Sequence, residues 1–147
     1  LYTYWKRTAP PANMVAFDAP NREVCTIARA NTTTPLQSLV SLNDTQFVEA
    51  SRALGERLAK RPGNDEAKLR WAFLEVVSRE PTASELAIAA KTLARERARY
   101  ARDAARATAV LAVGESPRDA QIPAGEHAAW MQVSTLLLNL SEAVTRN

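Results

Sequence analysis

The sequence predicts an all-α fold: a small antiparallel bundle of about four main helices with an irregular N-terminal arm. Three observations predict it. From Pro35 onward, apolar residues recur at three- and four-residue steps, the period of a helix. Capping and breaking residues punctuate that pattern where helices would start and stop. Ala, Leu, Arg and Glu are abundant while glycine is scarce, with 4 in 147 residues, which favours helix over a turn-rich β fold.

Residues 1–34 form the arm. Pro10, Pro11 and Pro20 interrupt it, and Pro-Pro holds its own backbone and that of its predecessor extended. Its apolar residues keep no helical period. Trp5, Met14, Phe17 and Val24 are its expected anchors, since an unanchored arm would not offset the entropy of staying docked. Residues 35–147 form the helical body, and arm and body together make one domain.

Within the body, Pro35 suits a first helical turn with Thr34 as N-cap, and Leu36, Leu39, Val40 and Leu42 make a short apolar turn. Asn43 and Asp44 cap the next helix, where Phe47, Ala50, Leu54 and Leu58 recur as far as Arg61 before Pro62-Gly63 stops it. Asn64 or Asp65 starts another, with Leu69, Phe73, Val76 and Val77 inward, Trp71 beside them and Pro81 closing it. Thr82-Ala83-Ser84-Glu85 spells a capping box, opening a long helix toward Val113. Leu86, Ala90, Leu93, Tyr100, Ala104 and Leu111 are its inward candidates. Residues 114–125 hold Gly114, Pro117, Pro123 and Gly125 and read as a loop. A last amphipathic helix spans about 126–145 and buries Trp130, Val133, Leu137, Leu140 and Val144. The connections are short, so neighbouring helices run antiparallel.

Several chemistries are hard to build from this composition. Cys25 is the one cysteine and His127 the one histidine, so a disulfide, a Cys-based zinc or iron–sulfur site, an HExxH helix and a haem attachment motif are all missing. No cofactor, metal ligand set or catalytic residue is therefore assigned. The net charge of +3 is modest, and acidic residues are interleaved with basic ones, unlike a dedicated nucleic-acid binder. No apolar run is long enough to span a bilayer. The opening Leu1-Tyr2-Thr3-Tyr4 has neither initiator Met nor leader, and reads as an excised piece of a larger protein.

Four features remain to be weighed. Lys91, Arg95, Arg99, Arg102 and Arg106 share one helix stripe roughly 22 Å long. With Glu96 and Asp103 at pairing distance, it reads as a solvated face, and nucleic acid is a disfavoured partner. Cys25 reads as a small buried hydrophobe, since no activating base is near it in sequence. His127, near a helix start, reads as structural or exposed. The polar run Phe17-Asp18-Ala19-Pro20-Asn21-Arg22-Glu23 offers two carboxylates, but Asp, Pro, Asn and Arg are also what a packed turn uses. With Asn43 and Asp44, the residues Asp18, Arg22 and Glu23 make the candidate binding cluster.

The same segments carry a family likeness. Pro10-Pro11, Phe17 through Glu23 and Cys25 resemble planctomycete proteins that carry domain of unknown function 1553. So do Thr34-Pro35-Leu36-Gln37-Ser38-Leu39, Leu42-Asn43-Asp44, Phe47 through Ala50, Arg79-Glu80-Pro81-Thr82 with Glu85-Leu86, and the stretch from Trp130 through Leu138–Ala143 to Thr145-Arg146. Ser38 and Ser141 stand where such proteins usually have Ala and Asp. The resemblance implies an exported, periplasmic or cell-surface polypeptide with a cytochrome c-like domain and another domain of unknown function upstream. It implies no catalytic residues, and the upstream haem motif is absent from these residues. The expectation is a non-catalytic helical module that binds those upstream domains or a partner through its arm. The alternative is a contribution to a glycan-processing, hydrolase-like site at an interdomain cleft.

Overall fold

The computed structural model describes residues 4, 6, 8–20, 25, 27, 28, 32 and 34–144. Their regular structure is helical: α1 (Ala12–Ala16), α2 (Pro35–Asn43), α3 (Thr45–Lys60), α4 (Asp65–Val77), α5 (Ala83–Arg102), α6 (Ala104–Leu111), α7 (Ala124–Leu138) and α8 (Ser141–Val144). No strand occurs among the described residues; a lone antiparallel bridge joins Lys6 to Ala9. The fold is all-α, as the periodicity predicts.

Side-chain caps set most of the helix starts. Thr34 and Gln37 form a full capping box with Pro35 in the first turn of α2. Asp44 caps α3 by accepting from the Gln46 amide at 2.9 Å, and Asn64 caps α4 from the Ala67 amide at 2.9 Å. The expected box at Thr82 is present: the Thr82 amide donates to Glu85 Oε2 at 2.7 Å, and the Glu85 amide to Thr82 Oγ1 at 3.3 Å.

Four boundaries differ from expectation. The arm holds one helical turn, α1, which starts where the Pro11 carbonyl accepts from the Val15 amide at 3.1 Å. A proline just ahead of a helix leaves its own carbonyl available for that bond. Helix α4 stops at Val77, ahead of Pro81, because Ser78 turns left-handed at φ 57°. The long helix breaks after Arg102: Asp103 leaves helical geometry and its carboxylate caps α6 at the Arg106 amide, 2.9 Å away. A short acidic side chain competes with the helix for nearby amides in this way. The last helix ends at Leu138, with α8 as a separate turn.

The largest correction concerns α7. It is not amphipathic; His127, Ala128, Ala129, Trp130, Met131, Val133, Ser134 and Leu137 are all buried and together cover most of its circumference. A helix apolar all round belongs in the interior. Helix α7 is the central rod, with α3, α5, α6 and α4 packed around it. Leu58, Leu69, Leu93, Leu111, Trp130, Val133 and Leu137 are fully buried at these contacts. Ala50, Ala90 and Ala104, expected inward, are exposed. Ser51, Ala89 and Ala107 are buried instead, with Glu96 alongside them.

Helix α3 lies on α7 at backbone range. A Cβ on Gly55 would stand 2.6 Å from Met131 N and 2.8 Å from Met131 Cα, so only glycine fits there. Helix α2 is reversed relative to its hydrophobicity. Gln37 (4% exposed) and Ser41 (5%) face the body, while Leu36 (55%), Leu39 (56%) and Leu42 (47%) face outward. The buried polar atoms are satisfied locally, Gln37 within the capping box and Ser41 Oγ on the Gln37 carbonyl at 2.9 Å.

Gly55→Ala is expected to cost about 2 kcal/mol, an overpacking penalty of ~3 kcal/mol less ~1 kcal/mol of helix propensity. Urea unfolding followed by far-UV circular dichroism measures it, and a variant as stable as wild type would show that α3 and α7 are further apart.

Candidate functional site

Three places gather polar side chains: the arm cluster, the loop after α6, and the groove between α5 and α7. In the arm, Asp18 sits at φ 56° just past α1, and its carboxylate accepts from the Thr32 amide at 2.9 Å and the Thr32 hydroxyl at 2.6 Å. Asn43 donates to the Leu39 carbonyl at 2.8 Å, and Asp44 caps α3. Asn43 and Asp44 therefore bind backbone of their own helix ends, whereas Asp18 reaches across fourteen residues to the amide and hydroxyl of Thr32. Arg22 and Glu23, like the anchors Trp5 and Val24, lie outside the described residues. Of the remaining anchors, Met14 and Phe17 are half-buried, and the Phe17 ring meets the Phe47 ring of α3 at 5.5 Å.

The loop after α6 is tied to α3 by a pair of charged side chains that the sequence did not single out. The Glu49 carboxylate accepts from the amides of Glu115 (3.1 Å) and Ser116 (2.8 Å) and from the Ser116 hydroxyl. Buried Arg52 donates to the Leu111 carbonyl at 2.9 Å and the Ser116 carbonyl at 2.6 Å. The loop backbone passes close over Glu49 at Gly114 (φ 101°), where a Cβ would lie 2.6 Å from Glu49 Oε2. Buried His127 places Nε2 3.0 Å from the Arg52 carbonyl; a carbonyl accepts, so Nε2 carries the proton. The histidine is thus structural. Cys25 is exposed, contrary to the expectation of a buried hydrophobe.

The third place is a groove of about 420 Å³ whose lining includes Leu42, Arg95, Glu96, Leu136 and Asn139. Glu96 is buried and accepts from Arg95 Nε at 3.0 Å and Arg99 at 3.1 Å. Its burial was readable in principle, because Leu93, Glu96 and Tyr100 share one helical stripe. Asp103 caps α6 rather than leaving the stripe neutralised. Lys91, Arg95, Arg99, Arg102 and Arg106 are all exposed, and of the five Arg95 lines the groove.

Elsewhere, charge serves to clasp helices. Arg97 of α5 binds Asp65 of α4 and Glu126 of α7, and Trp130 Nε1 donates to the same Glu126 at 2.8 Å. Arg79 binds Glu85 at 2.6 Å and Glu142 at 2.8 Å, joining the α4–α5 turn to α8. Among the described residues no group of three His, Cys, Asp or Glu side chains is placed to hold a metal ion. No helix there is long and apolar enough to cross a membrane.

A family model described as PSD1, protein of unknown function (DUF1553), matches residues 1–93. The likeness read in residues 130–146 lies beyond that match. No curated protein and no solved structure matches the chain.

Two of these carboxylates make stability depend on pH. Hydrogen bonds from the Ser116 hydroxyl, then the Ser116 amide, hold Glu49 down from 4.5 to about 2. Hydrogen bonds from Arg79, then the Thr82 amide, hold Glu85 down to about 2. A depressed folded-state pKa contributes stability that is complete above the unfolded value and is lost as pH falls from 4.5 toward 2. The urea midpoint is therefore expected to fall between pH 5 and pH 2. Glu49→Gln with Glu85→Gln should lower the midpoint at neutral pH and flatten that fall; a double variant that declines as steeply as wild type would contradict the assignment.

Proposed function

The chain belongs to the DUF1553 family of proteins of unknown function, and from that premise we propose that it is a non-catalytic helical module that docks on another domain of its own polypeptide. One observation carries this reading: α2 turns Leu36, Leu39 and Leu42 to the outside and Gln37 and Ser41 to the inside. A surface helix ordinarily does the reverse. Contiguous exposed leucines on an ordered, capped helix are what an interdomain contact requires. Phe17 of the arm rests on Phe47 of α3, and the arm is taken to dock together with α2.

The setting proposed for it is an exported polypeptide of planctomycete type, at the periplasm or cell surface, with a cytochrome c-like domain and another domain of unknown function upstream. The family likeness supports that setting. The glycan-processing alternative has less support, because Asn43 and Asp44 place their hydrogen bonds on nearby backbone and Asp18 is engaged with Thr32.

The test mixes this chain with the separately purified upstream domains. Leu36→Ser with Leu39→Ser is expected to weaken association at least ~10-fold, about 1.4 kcal/mol. Thermal unfolding should barely change, because both side chains are half exposed in the isolated chain. Unaltered affinity in a folded variant would remove the docking reading.

A further inference from the structure

We infer that the groove between α5 and α7 receives an acidic amphipathic helix of the docking partner. This deepens the docking reading and rests on it. The groove begins where the leucine face of α2 ends: Leu42 belongs to both, and Leu136 and Leu140 continue the apolar wall along the end of α7. Two adjacent helices with a shallow apolar channel between them are the usual receptor for a third helix.

The opposite wall selects charge. Arg95 is 70% exposed and Arg99 42%, and both guanidiniums are held by the buried carboxylate of Glu96. Of these cations Arg95 lines the groove, and Lys91, Arg99 and Arg102 continue the same exposed helix face beside it. Glu96 fixes two of these cations in place, so less side-chain freedom is lost when a carboxylate arrives. The groove also presents Asn139, whose Oδ1 is buried and has no hydrogen-bond partner among the described residues. Nucleic acid suits this surface less well, since leucines offer bases no ring on which to stack.

The probe is a fluorescent peptide of about 18 residues, five helical turns, with leucines at helical spacing and glutamates elsewhere. A twin carries lysine in place of every glutamate. Anisotropy titration with the whole chain should show the acidic peptide bound, with affinity falling as salt rises. The lysine twin should bind at least ~10-fold more weakly, and Leu42→Ser and Arg95→Gln should each lower acidic-peptide affinity several-fold while leaving the circular dichroism unchanged. Equal binding of both peptides, or no binding of either, would overturn the acidic-helix inference. So would tighter binding of a single-stranded DNA oligomer than of the acidic peptide, or self-association of the chain that Leu42→Ser abolishes. If the upstream domains still bind through Leu36 and Leu39 while the acidic peptide does not, this inference falls and the docking reading stands. If both fail, the docking reading falls with it.

Discussion

The contact between Gly55 and the backbone of Met131 sets the rest of the architecture. It brings α3 against α7 with no side chain between them, and that closeness lets α7 be enclosed from several sides at once. Helices α4, α5 and α6 complete the enclosure, so Trp130, Val133 and Leu137 lose all contact with solvent. Burial of this kind supplies the main favourable term in folding, at roughly 25 cal/mol per Å² of apolar surface. A methyl group at position 55 would push α3 outward and loosen every layer that depends on it.

Around that rod, the polar residues of the recognisable motifs serve as caps and clasps. Thr34 and Gln37 start α2, Asp44 starts α3, and Thr82 with Glu85 starts α5. Arg79 ties the last of these to α8 through Glu142. Asp18 holds Thr32. The residues that carry the family likeness thus explain the scaffold and leave the chemistry of the parent protein open. Leu36 and Leu39 are different, because each leaves more than half of its surface exposed. Together with Leu42 they lead to a groove walled by leucine on one side and arginine on the other.

Much of this was legible in the sequence, and the misses share a physical cause. Helical class, the Thr34, Asp44 and Thr82 caps and the inward stripe of Leu69 and Phe73 follow from period and capping chemistry, which are local. The enclosure of α7 is not local: His127 looks like a surface residue until α3 covers it and the Arg52 carbonyl, 75 residues away in sequence, accepts from its Nε2. Arg52 and Glu49 were passed over for the same reason, since their partners lie some sixty residues away in a loop. The outward leucines of α2 were hidden because a period reveals which residues share a face and not which way that face points. The break at Asp103 could have been read, as Asp is a strong N-cap candidate.

The central claim is that α3 and α7 touch at backbone distance, with α7 as the buried axis. Nuclear Overhauser spectroscopy on the labelled chain measures it directly. A strong cross-peak between the Gly55 α-protons and the Met131 amide proton is the result this structure requires. Its absence from an otherwise well-resolved spectrum, with Met131 exchanging its amide freely, would contradict the account.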